Sequence, residues 1–132
     1  MGVLIDSSVL IAAERSDLHL EAILARSGDD PLGVAAITVA EVLYGVHRLG
    51  GLRRLQAQRF TDRWLAVLPV IAFDVQMAAV HATLAVELGR QGLPMGAHDL
   101  IIAATAVRLG YAVATRDRRS FARIEGLDVE YW

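Results

Sequence analysis

The sequence predicts an α/β fold in which helices flank a central, mostly parallel sheet of four to five strands, and three observations predict it. Short apolar runs suited to buried strands alternate with longer stretches of helical spacing along the whole chain. Acids or hydroxyl residues stand where several of those strands pass into the next helix. One helical stretch, Leu100-Ile101-Ile102-Ala103-Ala104, is apolar on most sides and so needs a sheet to lie against. With 132 residues, no internal repeat and no linker, the expectation is a single domain, 1–132. A chain of this size buries roughly two-thirds of its unfolded surface, enough for a core without staples.

The elements follow in order. Val3-Leu4-Ile5 reads as a buried strand that runs into Asp6, and Ser7-Ser8 open a helix through Val9 to Ala13. Asp17 can cap a second helix to about Ser27, with Leu18, Ile23 and Leu24 as its apolar face, and Gly28-Asp29-Asp30-Pro31 breaks it. Gly33 to Ile37 is a second strand. Thr38 with Glu41 three residues on forms a capping-box pattern that starts the next helix. After Gly50-Gly51, Leu52 to Leu68 reads as a helix with Leu55, Phe60, Trp64 and Leu68 inward; Arg53, Arg54, Arg59 and Arg63 face outward with Asp62, the pattern of a solvated face. Pro69 starts a strand, Val70 to Phe73. Asp74 caps a long helix to about Arg90 whose core face is expected at Val75, Ala78, Ala79, Ala82 and Val86. A turn-rich connection leads to a helix from Ala97 to Leu109, ended by Gly110. Tyr111 to Thr115 is a strand, Asp117 can cap a short helix through Ile124, and Val129 to Trp132 forms a last edge strand.

Composition removes several functional classes. The absence of cysteine excludes a disulfide framework, a thiol nucleophile and a thiolate metal site. All 13 basic residues are arginine. Without lysine there is no P-loop, no Schiff base and no phospho-receiver chemistry, whereas the planar guanidinium fork suits phosphate. The start of the chain lacks a signal-peptide pattern, its residue 6 is Asp where a myristoylation motif needs Ser or Thr, and its apolar runs fall short of the ~18 residues of a membrane span. A soluble, cytoplasmic protein is expected. At 55% hydrophobic it exceeds the roughly 45–50% usual for soluble domains, which points to surface covered by a partner.

Four acids stand out at strand-to-helix edges or early in helices: Asp6, Glu41, Asp99 and Asp117. Each can be an ordinary cap or dipole partner, as Asp17 and Asp74 are read to be, because acids favour helix N-termini. They can equally form one site, since elements following parallel strands begin on the same side of the sheet, where α/β folds carry their ligands. Carboxylates gathered there raise one another's pKa unless a cation neutralises them. Mg²⁺, held by one or two carboxylates plus water and phosphate, suits that role and the hydrolysis of a phosphodiester.

The chain resembles PIN-domain ribonucleases, and among them the VapC toxins of bacterial toxin–antitoxin pairs. The resemblance rests on Leu4-Ile5-Asp6-Ser7-Ser8, on Thr38 to Gly45, on Gly96-Ala97-His98-Asp99 with the apolar run to Ala106, and on Ala114-Thr115-Arg116-Asp117 followed by Phe121 and Gly126-Leu127. It implies a PIN-like three-layer sandwich and a metal-dependent endoribonuclease site of Asp6, Glu41, Asp99 and Asp117. Asp6 and Asp99 match the positions that hold Mg²⁺, for which Mn²⁺ can substitute; Glu41 completes the set or orders a water. Asp117 falls where the family carries Asp or Asn. Ser7 and Thr115 match supporting hydroxyls or ordinary turn residues. His98 reads as a helix-start residue, since a hard-oxygen site does not call for imidazole. The resemblance further implies a homodimer and a VapB-type antitoxin that covers the site. Other readings of the same fold are a catalytically silent binding scaffold and a DNA-directed nuclease. The formal charge of −2 turns positive once the four proposed ligands are set aside, and some of Arg15, Arg116, Arg118 and Arg119 are expected to contact RNA phosphate.

Overall fold

The computed structural model describes residues 1–16 and 19–132, so the cap expected at Asp17 and the apolar contact expected at Leu18 lie outside the described residues. Five strands, β1 (Val3–Ile5), β2 (Leu32–Ala35), β3 (Val70–Ile71), β4 (Ala112–Thr115) and β5 (Val129–Tyr131), form one sheet in the order β3-β2-β1-β4-β5. Every pairing is parallel. The helices between them are α1 (Ser7–Arg15), α2 (Leu20–Leu24), α3 (Ala36–His47), α4 (Gly51–Val67), α5 (Val75–Arg90) and α6 (Ala97–Leu109). Short 3-10 turns lie at Ala25–Ser27 and Phe121–Arg123.

The helices divide into two layers because β1, in the middle of the sheet, is apolar on both faces. Leu4 packs into a core with Leu84 and Leu88 of α5 and Leu100, Ile102 and Ala103 of α6. Ile5 packs into the opposite core with Val9 and Leu10 of α1, Val42 of α3 and Trp64 of α4. Alternation of side chains along a strand forces this split. The expected three-layer sandwich with its parallel sheet is therefore present.

Several local expectations are corrected. The strand expected to reach Ile37 stops at Ala35, and α3 begins at Ala36 with Ala35 in the N-cap position. Thr38 thus lies inside the first turn, fully buried, and makes no capping box with Glu41. β3 ends at Ile71 instead of Phe73 because Ile71 pairs with Ala35, after which β2 has turned into helix and offers nothing to Ala72. On α4 the buried positions are Ala57, Thr61 and Trp64; Leu55 is exposed and Phe60 half-buried. On α5 the expected core face is the solvent face: Val75 is 84% and Val86 53% exposed, while Met77, Leu84 and Leu88 are buried. This helix is apolar nearly all round, and turning its Met and Leu side chains inward removes more apolar area from water than turning its alanines. Asp74 caps it as expected, accepting the Met77 amide at 2.8 Å, and Gly110 ends α6 in the left-handed conformation at φ 69°.

Among the described residues, Trp64 and Phe121 are the largest fully buried side chains, and the Trp64 indole N–H has no hydrogen-bond partner. Phe121→Ala is expected to lower unfolding free energy by about 3–5 kcal/mol. Trp64→Phe is expected to cost only about 1–2 kcal/mol, because losing an unpaired buried donor offsets part of the cavity it opens. Urea midpoints of the two variants check this.

Candidate active site

The carboxyl ends of β1, β2 and β4 lie side by side, and the chain leaves each of them directly into a segment carrying one of the predicted acids. Asp6 follows β1 and occupies the N-cap position of α1, yet its side chain makes no cap hydrogen bond. It turns inward, 5% exposed, and its Oδ2 accepts from the Ser8 hydroxyl at 2.6 Å and the Thr115 hydroxyl at 2.9 Å. Each of those hydroxyl oxygens accepts a backbone amide in turn, Arg116 on Ser8 and Asp117 on Thr115, both at 3.0 Å. A hydroxyl has one proton, so both are oriented toward Asp6 and fix its rotation. Both bonds land on Oδ2, which leaves Oδ1 directed elsewhere.

Asp99 lies half-buried in the first turn of α6. Burial raises its carboxyl above the ordinary aspartate value, and the charges of Asp6 and Asp117 raise it further. Glu41 sits further along α3 than a capping residue would, freed from that duty by the early start of the helix. Burial raises its carboxyl too; the His98 ring, with Nδ1 3.4 Å from Oε2, pulls the other way, while Asp6 and Asp99 add to the rise. Its Oε1 is buried and has no hydrogen-bond partner among the described residues. Asp117 is held below the ordinary value, first by the Ser120 hydroxyl at 2.6 Å and then by the amide of Arg119 at 2.8 Å. It closes the turn before Phe121 and does not cap a helix through Ile124, because only the 3-10 turn Phe121–Arg123 forms there, with Ser120 in the N-cap position.

The structure therefore brings all four predicted acids into one electrostatic neighbourhood: Asp6 acts on both Glu41 and Asp99, and Asp117 acts on Asp99. Among the described residues, no three such groups form a ready-made metal cage. The donor set still fits a hard divalent ion. It is all carboxylate oxygen, it holds one buried oxygen without a partner, and its mutual repulsion is what a cation relieves. Mg²⁺ in particular keeps most of its waters and takes few protein ligands.

Two supporting residues went unrecognised in the sequence. Ser8, not Ser7, holds Asp6; Ser7 instead lines a hollow of about 500 Å³ with Glu41, Tyr44 and His98. Neighbouring helix residues point some 100° apart, and nothing in Ser7-Ser8 shows which one faces the strand. Ser120, three residues past Asp117, was the other. His98 is a helix-start residue as expected, and it also orients Glu41. Of the four arginines expected near the site, Arg116 donates to the Trp132 carbonyl and Arg118 stacks on the Tyr131 ring. The Arg119 amide serves Asp117, and Arg15 lines a separate groove. A hollow of about 670 Å³ between α5, α6 and residues 124–128 contains none of the four predicted acids.

A family model described as PIN domain matches residues 3–127. The chain is 30% identical to ribonuclease VapC1 of Rickettsia felis over 98% of its own length and 95% of that protein. It is 33% identical to the tRNA(fMet)-specific endonuclease VapC of Salmonella typhimurium over 75% of this chain and 74% of that one. In structure it matches VapBC2 of Rickettsia felis, crystallised with a DNA fragment from its promoter, with a TM-score of 0.86 and 25% identity, covering 100% of this chain and 99% of the other. The chain belongs to the PIN-domain family, in its VapC ribonuclease branch.

If the carboxylates repel one another as their raised pKa values imply, Asp99→Asn stabilises the metal-free fold. The sign follows from linkage: Asp99 holds its proton to higher pH folded than unfolded, so its cost appears as pH rises past the ordinary aspartate range and persists at neutrality. The variant's melting temperature in EDTA should exceed the wild type's at pH 7, and the gain should vanish near pH ~3, where carboxyls are protonated. Mg²⁺ should raise the melting temperature of the wild type more than that of the variant.

Proposed function

We propose that this chain, as a single domain spanning 1–132, is a Mg²⁺-dependent endoribonuclease acting as the toxin of a toxin–antitoxin pair in the cytoplasm. The observation that carries this is Asp6: it stands where a cap belongs, declines that role, and is held by two hydroxyls beside Glu41 and Asp99. Asp6 and Asp99 would hold the ion, with Glu41 and Asp117 completing the acidic set; Mn²⁺ could replace Mg²⁺. When bound, the ion stabilises negative charge on the phosphodiester and makes water more acidic. Ser8 and Thr115 keep Asp6 from rotating away. Glu41, with its carboxyl raised by burial and held in place by His98, accepts the proton of the attacking water. Attack by water on phosphorus breaks the P–O3′ bond, and the departing O3′ takes a proton from solvent, which leaves a 5′-phosphate and a 3′-hydroxyl.

A VapB-type antitoxin and a second copy of the chain are the proposed partners. Exposed apolar side chains support covered surface: Tyr44 beside Glu41, Phe73 and Val75 at the start of α5, and Val86. Among the described residues no helix is long and apolar enough to cross a membrane. A silent scaffold would not need four carboxylates kept together against their repulsion.

The test is cleavage of RNA and of DNA by the purified protein with Mg²⁺, alongside Asp6→Asn and an EDTA control. RNA cleavage should fall by at least ~10²-fold in the variant, with its melting temperature retained. Equal cleavage by the variant, DNA cleavage alone, or 2′,3′-cyclic phosphate ends would refute the assignment.

A further inference from the structure

Away from the carboxylates, the helix face that the sequence marks as solvated is one wall of a groove. Arg53, Arg59 and Arg63 of α4 stand opposite Arg15 and His19, with Phe60 on the same α4 wall, around a hollow of about 610 Å³. Acids from the opposing wall anchor two of these arginines. Glu14 of α1 takes Arg53 through both of its oxygens, and Glu21 of α2 reaches Arg63 at 2.9 Å. The second pair is exposed on both sides and weak. Among the described residues neither Arg15 nor Arg59 has an acidic partner, so the groove keeps a positive surplus.

This groove joins the carboxylate site along α1. Ser7, Ile11 and Arg15 are four residues apart and share one face of the helix. The hollow beside Glu41 and His98 is bounded by Ser7 and Ile11. Ile11 also borders a narrow apolar slot of about 70 Å³ floored by Val46 and Trp64. That slot shares Glu14, Arg15, Arg53 and Phe60 with the arginine groove. From Ser7 to Arg15 the helix rises on the order of 12 Å. A strand held at the carboxylates would therefore bring a phosphate to the arginines about three to four stacked nucleotides away, at ~3.4 Å each.

We propose that the Arg15–Arg59 groove is a second binding site for the RNA backbone, several nucleotides from the bond that is cut; this rests on the ribonuclease reading above. Guanidinium groups on two walls hold successive phosphates, Glu14 fixes the Arg53 fork at the groove's entrance, and the half-buried Phe60 ring offers a face to a base. Such contacts position the strand without reading its sequence.

The probe is a 5′-labelled 20-nucleotide RNA, its binding followed by fluorescence anisotropy in EDTA across a salt series. Arg15→Gln/Arg59→Gln should weaken binding about ten-fold and reduce the salt slope by about 1.4, since each single-strand phosphate contact contributes ~0.7. Arg15→Lys/Arg59→Lys should restore the slope, and equal melting temperatures show that folding is intact. An unchanged slope in the Gln variant overturns the proposal. So does unchanged RNA binding with loss of affinity for an acidic peptide, which assigns the groove to a protein partner. A wild type that binds RNA with this slope but never cleaves it sustains the groove while the ribonuclease reading falls; a wild type that binds no RNA overturns both.

Discussion

The arrangement at this sheet edge depends on two hydroxyl protons, those of Ser8 and Thr115, being spent on one oxygen of Asp6. The Thr115 bond joins the end of β4 to the end of β1 across 109 residues of chain, and the backbone amides of Arg116 and Asp117 close the arrangement from behind. A carboxylate held this way does not relax toward the helix terminus it sits on, where it would find an easier partner in the α1 amides. The backbone stitches the same seam, with the Asp6 amide donating to the Ala114 carbonyl at 2.9 Å. The turn carrying Asp117 is in turn pinned by Phe121, buried in the core directly after it.

The carboxylate cluster is costly by construction. Burial and like charge both raise Glu41 and Asp99, and only Asp117, with its private set of donors from Arg119 and Ser120, is relieved. That division separates two kinds of acid at one edge. Asp117 is satisfied by the protein and organises a turn; Glu41 keeps a buried oxygen without a partner among the described residues, and Asp99 is raised by burial and by its neighbours' charge. Strained sites of this kind are where a fold gives up stability for chemistry.

Much of this was legible in the sequence because it rests on coarse patterns. Strand and helix periods alternate cleanly, so the parallel sheet and its helical layers followed, and with them the expectation that Asp6, Glu41, Asp99 and Asp117 share an edge. The errors fall where two patterns compete. On α5 apolar residues occupy nearly every face, so spacing could not choose between Val75-Ala78-Ala82 and Met77-Leu84-Leu88; side-chain bulk did. Thr38 and Glu41 carry a capping-box signature, but β2 passes into α3 without a loop, and tertiary placement overrode the local signal. The arginines of α4 do face solvent, but that Arg53 and Arg63 reach Glu14 and Glu21 could not be read from α4 alone, since those acids lie 39 and 42 residues away.

One consequence follows from β1 being three residues long and buried on both faces. Leu4 answers to one helical layer and Ile5 to the other, while the next residue is Asp6. The site has no scaffold of its own: the same short segment is gripped by both cores and hands its position directly to the carboxylate. Loosening either layer, even at Leu88 or Val46 in the two cores, shifts the register of this one group. In a genetic selection for inactive chains, the hits would then scatter through the interior of the molecule and not cluster at its acidic rim.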